Sequence, residues 1–354
     1  MSIDNNAFEN TTDFNLKNMS NKTFIIAELS ANHNGSKQTA LDSIRAAKQA
    51  GADAIKIQTY TADTLTLNCD KPDFRLGGGL WAGETFYSLY QKAYTPWEWH
   101  EDIFKVAHEE GLVCFSTPFD KTAVDLLESL NSPIYKIASF EITDIPLIQY
   151  IARKHKPIIL STGIAMEEDI QLALETIRKE GCHDITLLKC TSAYPAPIED
   201  ANLLTIPDMK QRFGVKVGLS DHTEGYTVPM AAVALGAEVV EKHFIIDRSI
   251  GGPDSAFSME ATEFKLMVEN IRKVEAALGT ACYPTDPATI KGRDAARSLY
   301  VAQPLKKGDV ITEKNVRSVR PGYGLHPKYL SELIGRKVNK DLEVGDRMCW
   351  EVVD

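Results

Sequence analysis

The sequence predicts an α/β fold: a (β/α)8 barrel followed by a small C-terminal domain. Eight short β-rich segments alternate with eight segments of helical periodicity, and together they span about 255 residues, a usual length for this barrel. An internal repeat near the C-terminus indicates the second, smaller domain. We therefore expect a polar tail at 1–22, the barrel at 23–278, a linker at 279–293 and the small domain at 294–354.

The predicted strands and helices alternate along the whole barrel region. Strands are expected at 24–29, 54–60, 112–117, 134–139, 157–161, 185–190, 216–220 and 239–244. Helices are expected at 38–50, 96–110, 121–130, 145–155, 167–180, 202–213, 227–235 and 261–278. The alternative is an open doubly wound sheet, which favours a glycine-rich phosphate turn after its first strand, and the sequence contains no GxGxxG. The longer insertion at 61–95 is either a flexible loop or a lid over the site.

The C-terminal repeat has the pattern V-x3-L-x2-G-D-x-[IM]. It begins at Val301 and again 37 residues later at Val338. The pattern predicts a compact domain of about 60 residues built from short strands and turns. So small a domain has little core of its own, and we expect it to lean on the barrel or on a second subunit.

The composition is that of a soluble globular protein, with 44% hydrophobic and 25% charged residues among 354. The net charge of −10 argues against nonspecific binding to nucleic acid or to an anionic membrane. No apolar run is long enough to span a membrane, and the N-terminal segment lacks the apolar core of a signal peptide, so we expect a cytoplasmic protein. The six cysteines form no CxxC motif and are expected to be free thiols.

Polar residues at the carboxyl ends of the strands predict a site for an anion. Period-two alternation points Lys56 and Lys136 into the barrel, where an unpaired ammonium group is costly. Hydroxyl groups accompany these lysines at the strand ends: Thr117, Ser139, Ser161 and Ser220. We favour a bound phosphate or carboxylate, and the alternative is an internal ion pair with Glu28, Glu141 or Glu241.

Two histidines follow neighbouring strands and predict a metal site. His222 ends the seventh strand and His243 the eighth, and adjacent strands lie about 5 Å apart, so both rings can reach one ion. Nitrogen ligands suit Mn, Fe, Co or Zn better than Mg. With two protein ligands, the other positions stay open to water or to a substrate oxygen, as in a catalytic site. The alternative is that these histidines only make ordinary hydrogen bonds.

Three carboxylates near the same end are candidates for acid–base or hydroxyl-binding roles. Glu28 and Glu141 suit acid–base catalysis, although Glu28 is equally able to pair with a buried lysine. Asp254 follows the eighth strand, where it either reaches a sugar hydroxyl or only forms a turn. The sequence has no GxSxG and no P-loop. A Schiff-base aldolase on the same barrel is a further alternative, with Lys136 or Lys189 as the nucleophile.

Ordered motifs occur at the ends of the predicted strands: AELSANHNG at 27–35, KIQT at 56–59, FSTPF at 115–119, YKIAS at 135–139, LSTG at 160–163, KCTSAYP at 189–195, GLSDHT at 218–223 and EKHF at 241–244. In these motifs the chain, from residue 24 to residue 348, resembles the sialic acid synthases. The repeat, with VRPGYG at 319–324, is similar to the family's antifreeze-like (SAF) domain. That family condenses phosphoenolpyruvate with a 2-acetamido sugar to give a nine-carbon 2-keto acid and phosphate. The resemblance therefore implies a carbon–carbon bond-forming transferase on a TIM barrel.

The resemblance also implies a role for individual residues. Phosphoenolpyruvate would be held by Lys56, Thr117, Lys136, Ser139, Ser161, Ser192 and Ser220, although some members carry Asn in place of Ser192. Catalysis would fall to Glu28, Glu141, His222 and His243, with Glu141 assisting proton transfer and the two histidines binding Mn²⁺, or else Mg²⁺ or Co²⁺. The sugar would contact Gln58, Tyr194, Asp254 and Arg320, the last from the small domain of the partner subunit in a domain-swapped homodimer.

Two further motifs, GGLW at 78–81 and PWEWH at 96–100, most resemble the branch of the family that makes pseudaminic acid. The sugar of that branch is 2,4-diacetamido-2,4,6-trideoxy-L-altrose, whose methyl and second acetamido groups favour apolar contacts. Trp81 either supplies such a contact or packs only within its own loop. The alternatives are an N-acetylneuraminate or legionaminate synthase and, more remotely, the Schiff-base aldolase or a non-catalytic sugar-binding protein.

Overall fold

The structure, a computed structural model, describes residues 22–283 and 286–354. The predicted tail lies outside the described residues, apart from Lys22. The chain divides into two compact units, the first ending at Gly279 and the second beginning at Thr280. Within the described ranges, no helix is long and apolar enough to cross a membrane.

The first unit is a closed barrel of eight parallel strands. The strands are β1 Phe24–Glu28, β2 Ala54–Thr59, β3 Val113–Pro118, β4 Tyr135–Ile137, β5 Ile158–Ser161, β6 Ile185–Cys190, β7 Lys216–Asp221 and β8 Val239–Ile245. Each strand pairs with the next, and β1 also pairs with β8, from Phe24 opposite Val239 to Glu28 opposite His243. This closure confirms the predicted barrel and excludes the open sheet. A two-residue strand, β9 Met259–Glu260, extends the sheet beside β8.

Helices connect the strands and cover the outside of the barrel. They are α1 Lys37–Gln49, α2 Ala62–Leu65, α3 Phe86–Ala93, α4 His100–Glu109, α5 Lys121–Ser129, α6 Ile145–Ala152, α7 Glu167–Lys179, α8 Thr205–Phe213, α9 Thr227–Ala234 and α10 Ala261–Leu278. The helix predicted at 202–213 begins later, at Thr205, because Asn202 adopts a left-handed conformation with φ 43° after a 3₁₀ turn. The helix predicted at 145–155 ends early, at Ala152.

Side-chain alternation divides each strand between the helical layer and the barrel interior. Ile55 and Ile57 of β2 pack outward into the main core with the helices. Inside the barrel, near the amino-terminal ends of the strands, there is a separate apolar cluster: Phe24, Ile26, Ala54, Phe115, Ile134, Ile159, Leu188 and Val239. These residues lie toward the start of their strands, so the polar strand ends are left for the opposite mouth of the barrel.

The insertion at 61–95, here called the β2 insertion, contains regular structure. It includes α2, α3 and 3₁₀ turns at Pro72–Phe74 and Gly79–Trp81. The Trp81 indole N–H donates a 3.1 Å hydrogen bond to the carbonyl of Pro253, in the loop that follows β8. The insertion is therefore attached to a loop at the mouth of the barrel.

In the second unit the two copies of the sequence repeat pair with each other. Leu305 and Leu342, which occupy equivalent positions in the repeat, exchange backbone hydrogen bonds of 2.9 and 2.8 Å. Val301 likewise accepts from Gly345, and Val338 accepts from Gly308. The α-helices and β-strands described in this unit are α11 Pro287–Gly292, β10 Ser298–Val301, β11 Val316–Val319 and α12 Leu330–Leu333. Helix α11 falls within the segment 279–293, for which the sequence predicted only a linker.

Candidate active site

The two lysines expected inside the barrel are both buried at its carboxyl end. Only 3% of Lys56 and 2% of Lys136 is exposed. Lys56 Nζ lies 2.6 Å from Glu28 Oε2 and donates to Thr117 Oγ1 at 3.3 Å. Gln58 Nε2 donates to the other oxygen of Glu28 at 3.1 Å, so β1, β2 and β3 contribute to one polar group.

Glu241 lies between the two lysines. Its Oε1 is 3.9 Å from Lys56 Nζ and 3.8 Å from Lys136 Nζ, and it accepts a 3.1 Å hydrogen bond from Ser220. Lys136 also donates to Ser161 Oγ at 2.7 Å. Glu241 was considered in the sequence only as an ion-pair partner. Alternation along β8, which places Glu241 on the same side as His243, is the signal that could have assigned it to the site.

Burial and charge shift the pKa values of this group in different directions. Burial raises the pKa of Glu28 to about 6, and the attraction of Lys56 only partly opposes that effect. The pKa of Glu241 is lowered, because the two ammonium groups outweigh its burial. Burial lowers the pKa of Lys136, whereas for Lys56 the two glutamates outweigh burial and raise it. The pocket thus combines two buried cations, one firmly ionised carboxylate and one carboxyl group that titrates near pH 6.

Hydroxyl groups from neighbouring strand ends complete this pocket. The backbone N–H of Gly163 donates to Ser139 Oγ at 3.0 Å, and Ser192 Oγ lies 4.0 Å from Cys190 Sγ. A Cβ at position 163 would overlap Ser192 Oγ and would lie 2.8 Å from Ser139 Oγ, so only glycine leaves room here. The structure thereby brings together the seven residues expected to hold phosphoenolpyruvate on β2 to β7 and the loops that follow them.

The two histidines meet at the same mouth, with their ring centroids 5.3 Å apart. His222 Nδ1 lies 2.9 Å from the carbonyl oxygen of Thr191 and 3.8 Å from Cys190 Sγ. Against the effect of burial, the hydrogen bond and charge of Cys190 raise the pKa of His222, and the same contact lowers that of Cys190 to about 7. Burial and then the charge of His222 hold the pKa of His243 well below its usual range.

These histidines fit the donor set of an open metal site. His243 Nδ1 is buried without a hydrogen-bond partner, and its ring is neutral, as a metal ligand must be. His222 can donate from Nδ1 to the Thr191 carbonyl, which leaves Nε2 as the free lone pair. Across residues 22–283 and 286–354 there is no cluster of three or more His, Cys, Asp or Glu side chains that could hold a metal. A cation here would therefore keep positions open for water or substrate.

An aromatic wall, consisting of Trp81, Tyr194 and Phe257, lies beside the histidines. The Tyr194 ring centroid is 4.4 Å from that of His222, 5.2 Å from that of Phe257 and 5.9 Å from that of Trp81. The sequence offered Trp81 as one of two alternatives, a sugar contact or packing within its own loop, and it did not place Phe257 in the site. Both come from loops distant in the chain, and no local pattern identifies such contacts.

Three remaining candidates occupy different surroundings. Asp254 is buried, accepts from the Ala31 N–H at 3.3 Å and lies 4.0 Å from His243 Nδ1. Burial raises the pKa of Glu141 to about 7 in spite of the charge of Lys136, and its Oε2 has no hydrogen-bond partner. Arg320 belongs to the second unit, where it is exposed.

The fold and this pocket define a barrel enzyme in which buried lysines and hydroxyl groups adjoin a pair of histidines. The chain matches the NeuB family over residues 43–283 and the SAF domain over residues 296–346. The family match covers more than half of the chain, and the protein therefore belongs to the NeuB family.

Curated relatives and solved structures agree with this assignment. The chain is 53% identical to the pseudaminic acid synthase of Campylobacter jejuni strain 81-176, over 94% of this chain and 96% of that protein. It is 51% identical to the pseudaminic acid synthase of Helicobacter pylori, over 93% and 97% of the two chains. The crystal structure of an N-acetylneuraminic acid synthetase from Leptospira borgpetersenii is 30% identical, with a TM-score of 0.69 over 79% of this chain and 94% of that one.

Proposed function

We propose that the protein condenses phosphoenolpyruvate with 2,4-diacetamido-2,4,6-trideoxy-L-altrose and water to give pseudaminic acid and phosphate. The observation that carries this proposal is the meeting of two buried lysines and two histidines at one mouth of a barrel. Identity of 53% over nearly the whole chain to a pseudaminic acid synthase supports the particular sugar.

The lysines and hydroxyls suit phosphoenolpyruvate because they are already dehydrated and held by counter-ions. Lys56 and Lys136 supply the charge, and Thr117, Ser139, Ser161, Ser192 and Ser220 supply donors to carboxylate and phosphate oxygens. The incoming anion replaces part of the charge that Glu28 provides, and a protonated Glu28 releases Lys56 to the ligand. A pKa near 6 places this proton uptake within easy reach at neutral pH.

In the reaction, the methylene carbon of phosphoenolpyruvate attacks the aldehyde carbon of the open-chain sugar. The new carbon–carbon bond takes the enol π electrons, the aldehyde oxygen takes a proton, and cationic character develops at C2 of the former phosphoenolpyruvate. Water adds at C2 and gives up a proton, and the tetrahedral product then expels phosphate to leave the ketone. The nearby carboxylates stabilise the developing cation, and Lys56 and Lys136 stabilise the departing phosphate.

A divalent cation, Mn²⁺ or alternatively Mg²⁺ or Co²⁺, is assigned to His222 and His243. When bound, it would act as a Lewis acid toward the sugar's aldehyde oxygen. The role of the chain is to hold the two rings in place: the Thr191 carbonyl orients His222, and burial keeps the His243 ring neutral.

Glu141 and Glu28 are the groups suited to moving protons in this reaction. Each has a pKa raised toward neutrality by burial, to about 7 and about 6, so each can give or accept a proton at physiological pH. We assign to Glu141 the assistance of proton transfer and to Glu28 the contact with sugar or water. Gln58, Tyr194 and Asp254 are assigned to the sugar hydroxyls.

The choice of sugar is assigned to the aromatic wall. A 6-deoxy sugar presents a methyl group, and Trp81, Tyr194 and Phe257 offer an apolar surface beside the histidines. N-Acetylneuraminate and legionaminate synthases are the alternatives within the family. A Schiff-base aldolase is a weaker alternative, because Lys136 is engaged by Ser161 and Glu241, and Lys189 donates to the Cys190 carbonyl at 2.8 Å.

We further propose a cytoplasmic, domain-swapped homodimer in which Arg320 of one copy reaches the sugar in the other. Exposed apolar side chains follow strands β4, β5 and β6 at the barrel mouth: Phe140, Ile164, Met166, Ile198 and Leu204. Such a rim favours coverage by another protein surface. Light scattering of the full chain tests the dimer, and mixing Arg320→Ala subunits with inactive Lys56→Met subunits tests the exchange, because a swapped dimer regains partial activity.

Phosphate release tests the reaction itself. Metal-stripped protein receives phosphoenolpyruvate, Mn²⁺ and, in parallel, the altrose, the legionaminate precursor or N-acetylmannosamine. Release is expected to be much faster with the altrose than with the other two sugars. Release only with another sugar would keep the reaction class and overturn the assigned sugar. No release with any sugar from folded, metal-replete protein would refute the synthase and favour a sugar-binding protein, whereas a borohydride-trapped pyruvate adduct would favour the aldolase.

A further inference from the structure

A buried ion pair lies on the outer side of the two strands that carry the histidines. Asp221 and Lys242 approach to 2.5 Å, and only 2% of each side chain is exposed. They are direct partners in the pairing of β7 with β8, and each immediately precedes one histidine in the chain. Alternation turns them away from the phosphoenolpyruvate pocket, so the proposed reaction leaves them without a role.

The pair also fixes the backbone on the far side of His222. Asp221 Oδ1 accepts from the Thr223 N–H at 3.2 Å and from its hydroxyl at 2.9 Å, and Lys242 donates to the Thr223 carbonyl. Strand β7 ends at Asp221, so His222 lies one residue beyond the last β7–β8 pair in the register. The ion pair therefore holds the backbone in place at the point where the regular pairing of β7 with β8 ends.

A buried ion pair is a costly way to obtain stability alone. Removing two charges from water is expensive, and well-packed apolar residues at such positions are often as stable or more so. Apolar side chains, however, cannot bind both the N–H and the carbonyl of Thr223. Compared with an apolar pair, the charged pair adds directional hydrogen bonds to Thr223, the residue that follows His222.

We infer that Asp221 and Lys242 are positioning residues that set the spacing and aim of His222 and His243 for one divalent cation. The inference rests on the proposed metal site. Lys242 fixes β8 next to His243 and Asp221 fixes β7 next to His222, so the single contact between them links the two rings through their backbones. Neither residue touches the cation or the substrates.

The test compares Lys242→Met, the double variant Asp221→Asn/Lys242→Met and, as a control, Lys216→Met. Lys216 lies at the opposite end of β7, where it pairs with Asp184 at 3.4 Å. Mn²⁺ binding to the metal-stripped proteins is measured from the electron paramagnetic resonance signal of the free ion. The free energy of unfolding of the same apoproteins is measured in urea, so that affinity and folding are separated.

We expect Lys242→Met to lose both stability and affinity, because it leaves Asp221 buried without a counter-ion. The double variant removes both charges and should regain most of the stability, yet bind Mn²⁺ about 10–100-fold more weakly than the wild type. In phosphate-release assays its half-saturating Mn²⁺ concentration should rise while its KM for phosphoenolpyruvate stays unchanged. Lys216→Met should keep wild-type Mn²⁺ affinity.

A stable double variant that binds Mn²⁺ within about twofold of the wild type would overturn the positioning role while leaving the proposed function intact. Equal rises in the Mn²⁺ requirement and in the KM for phosphoenolpyruvate would also overturn it, since they indicate a general distortion of the mouth. A wild-type protein that binds none of Mn²⁺, Mg²⁺ and Co²⁺ would remove the proposed metal site and the inference with it.

Discussion

The ammonium group of Lys56 lies 2.6 Å from the carboxylate of Glu28, with only 4% and 1% of the two side chains exposed. In this arrangement the lysine has already lost its water before any substrate arrives. An anionic substrate therefore exchanges one counter-ion for another rather than paying for desolvation of the cation. The pair explains how a buried lysine can be both a stable part of the barrel and a ligand for phosphoenolpyruvate.

Removal of the Lys56 charge should reveal both roles. Lys56→Met leaves Glu28 and Glu241 facing fewer cations, and breaking such a buried pair typically costs about 3–5 kcal/mol of unfolding free energy. Phosphoenolpyruvate affinity should fall in parallel, as measured by calorimetric titration of the folded variant. Lys210→Met is the control, because its pair with Glu238 is half exposed and should contribute less than about 1 kcal/mol. Unchanged affinity in a folded Lys56→Met protein would contradict the assigned role.

Glu141 should make stability depend on pH in a defined window. Its pKa is about 7 in the folded protein against an ordinary value of 4.5, so between these pH values the folded state holds a proton that the unfolded state has released. The stabilising contribution is complete below about pH 4.5 and is lost as the pH rises through about 7.

Urea unfolding at a series of pH values checks this dependence. The wild-type unfolding free energy should fall across the window relative to Glu141→Gln, and the exposed Glu199→Gln should follow the wild type. Identical slopes for the wild type and Glu141→Gln would show that Glu141 titrates as an ordinary carboxyl group.

The barrel could be predicted because its determinants are local. Short apolar runs predict the strands, and the amphipathic segments between them predict the helices. Alternation within β2 alone distinguishes the outward-facing Ile55 and Ile57 from the inward-facing Lys56. Differences arose where a single residue ends or delays an element, as Asn202 does before α8. The short helix α11 was missed because its six residues carry too little periodicity to distinguish it from a linker.

The site was harder to predict in full because its contacts join distant parts of the chain. The ends of the predicted strands identify candidate site residues, but they do not show how these residues are arranged. In particular, they do not show that Glu241 of β8 lies between the lysines of β2 and β4. The bond from Trp81 to Pro253 joins residues 172 positions apart. Such contacts depend on loop geometry, for which a single sequence carries no periodic signal.

Gly163 should be intolerant of a side chain. The Cβ of Gly163→Ala would overlap Ser192 Oγ and press on Ser139 Oγ, both of which are assigned to phosphoenolpyruvate. Overpacking of this kind costs about 1–3 kcal/mol, so we expect either a shifted hydroxyl or lost stability, with a KM for phosphoenolpyruvate raised about tenfold. Gly77→Ala is the control, because no atom lies within 4 Å of its added Cβ. Equal KM values for the two variants would argue against a hydroxyl cradle around Gly163.

Trp81 should determine which sugar reacts. Trp81→Ala removes one member of the aromatic wall and its hydrogen bond to Pro253, whereas Trp81→Phe keeps one aromatic ring and loses the hydrogen bond. Apolar contact with one methyl group changes the preference between two substrates by about 10–200-fold. We therefore expect kcat/KM for the altrose to decrease by a factor in that range in Trp81→Ala. The value for N-acetylmannosamine, which has a hydroxymethyl group instead, should change little. Trp81→Phe should retain most of the preference if the ring supplies it. A parallel loss with both sugars would mean that Trp81 only holds the β2 insertion in place, and the selectivity would then have to be sought in Tyr194 and Phe257.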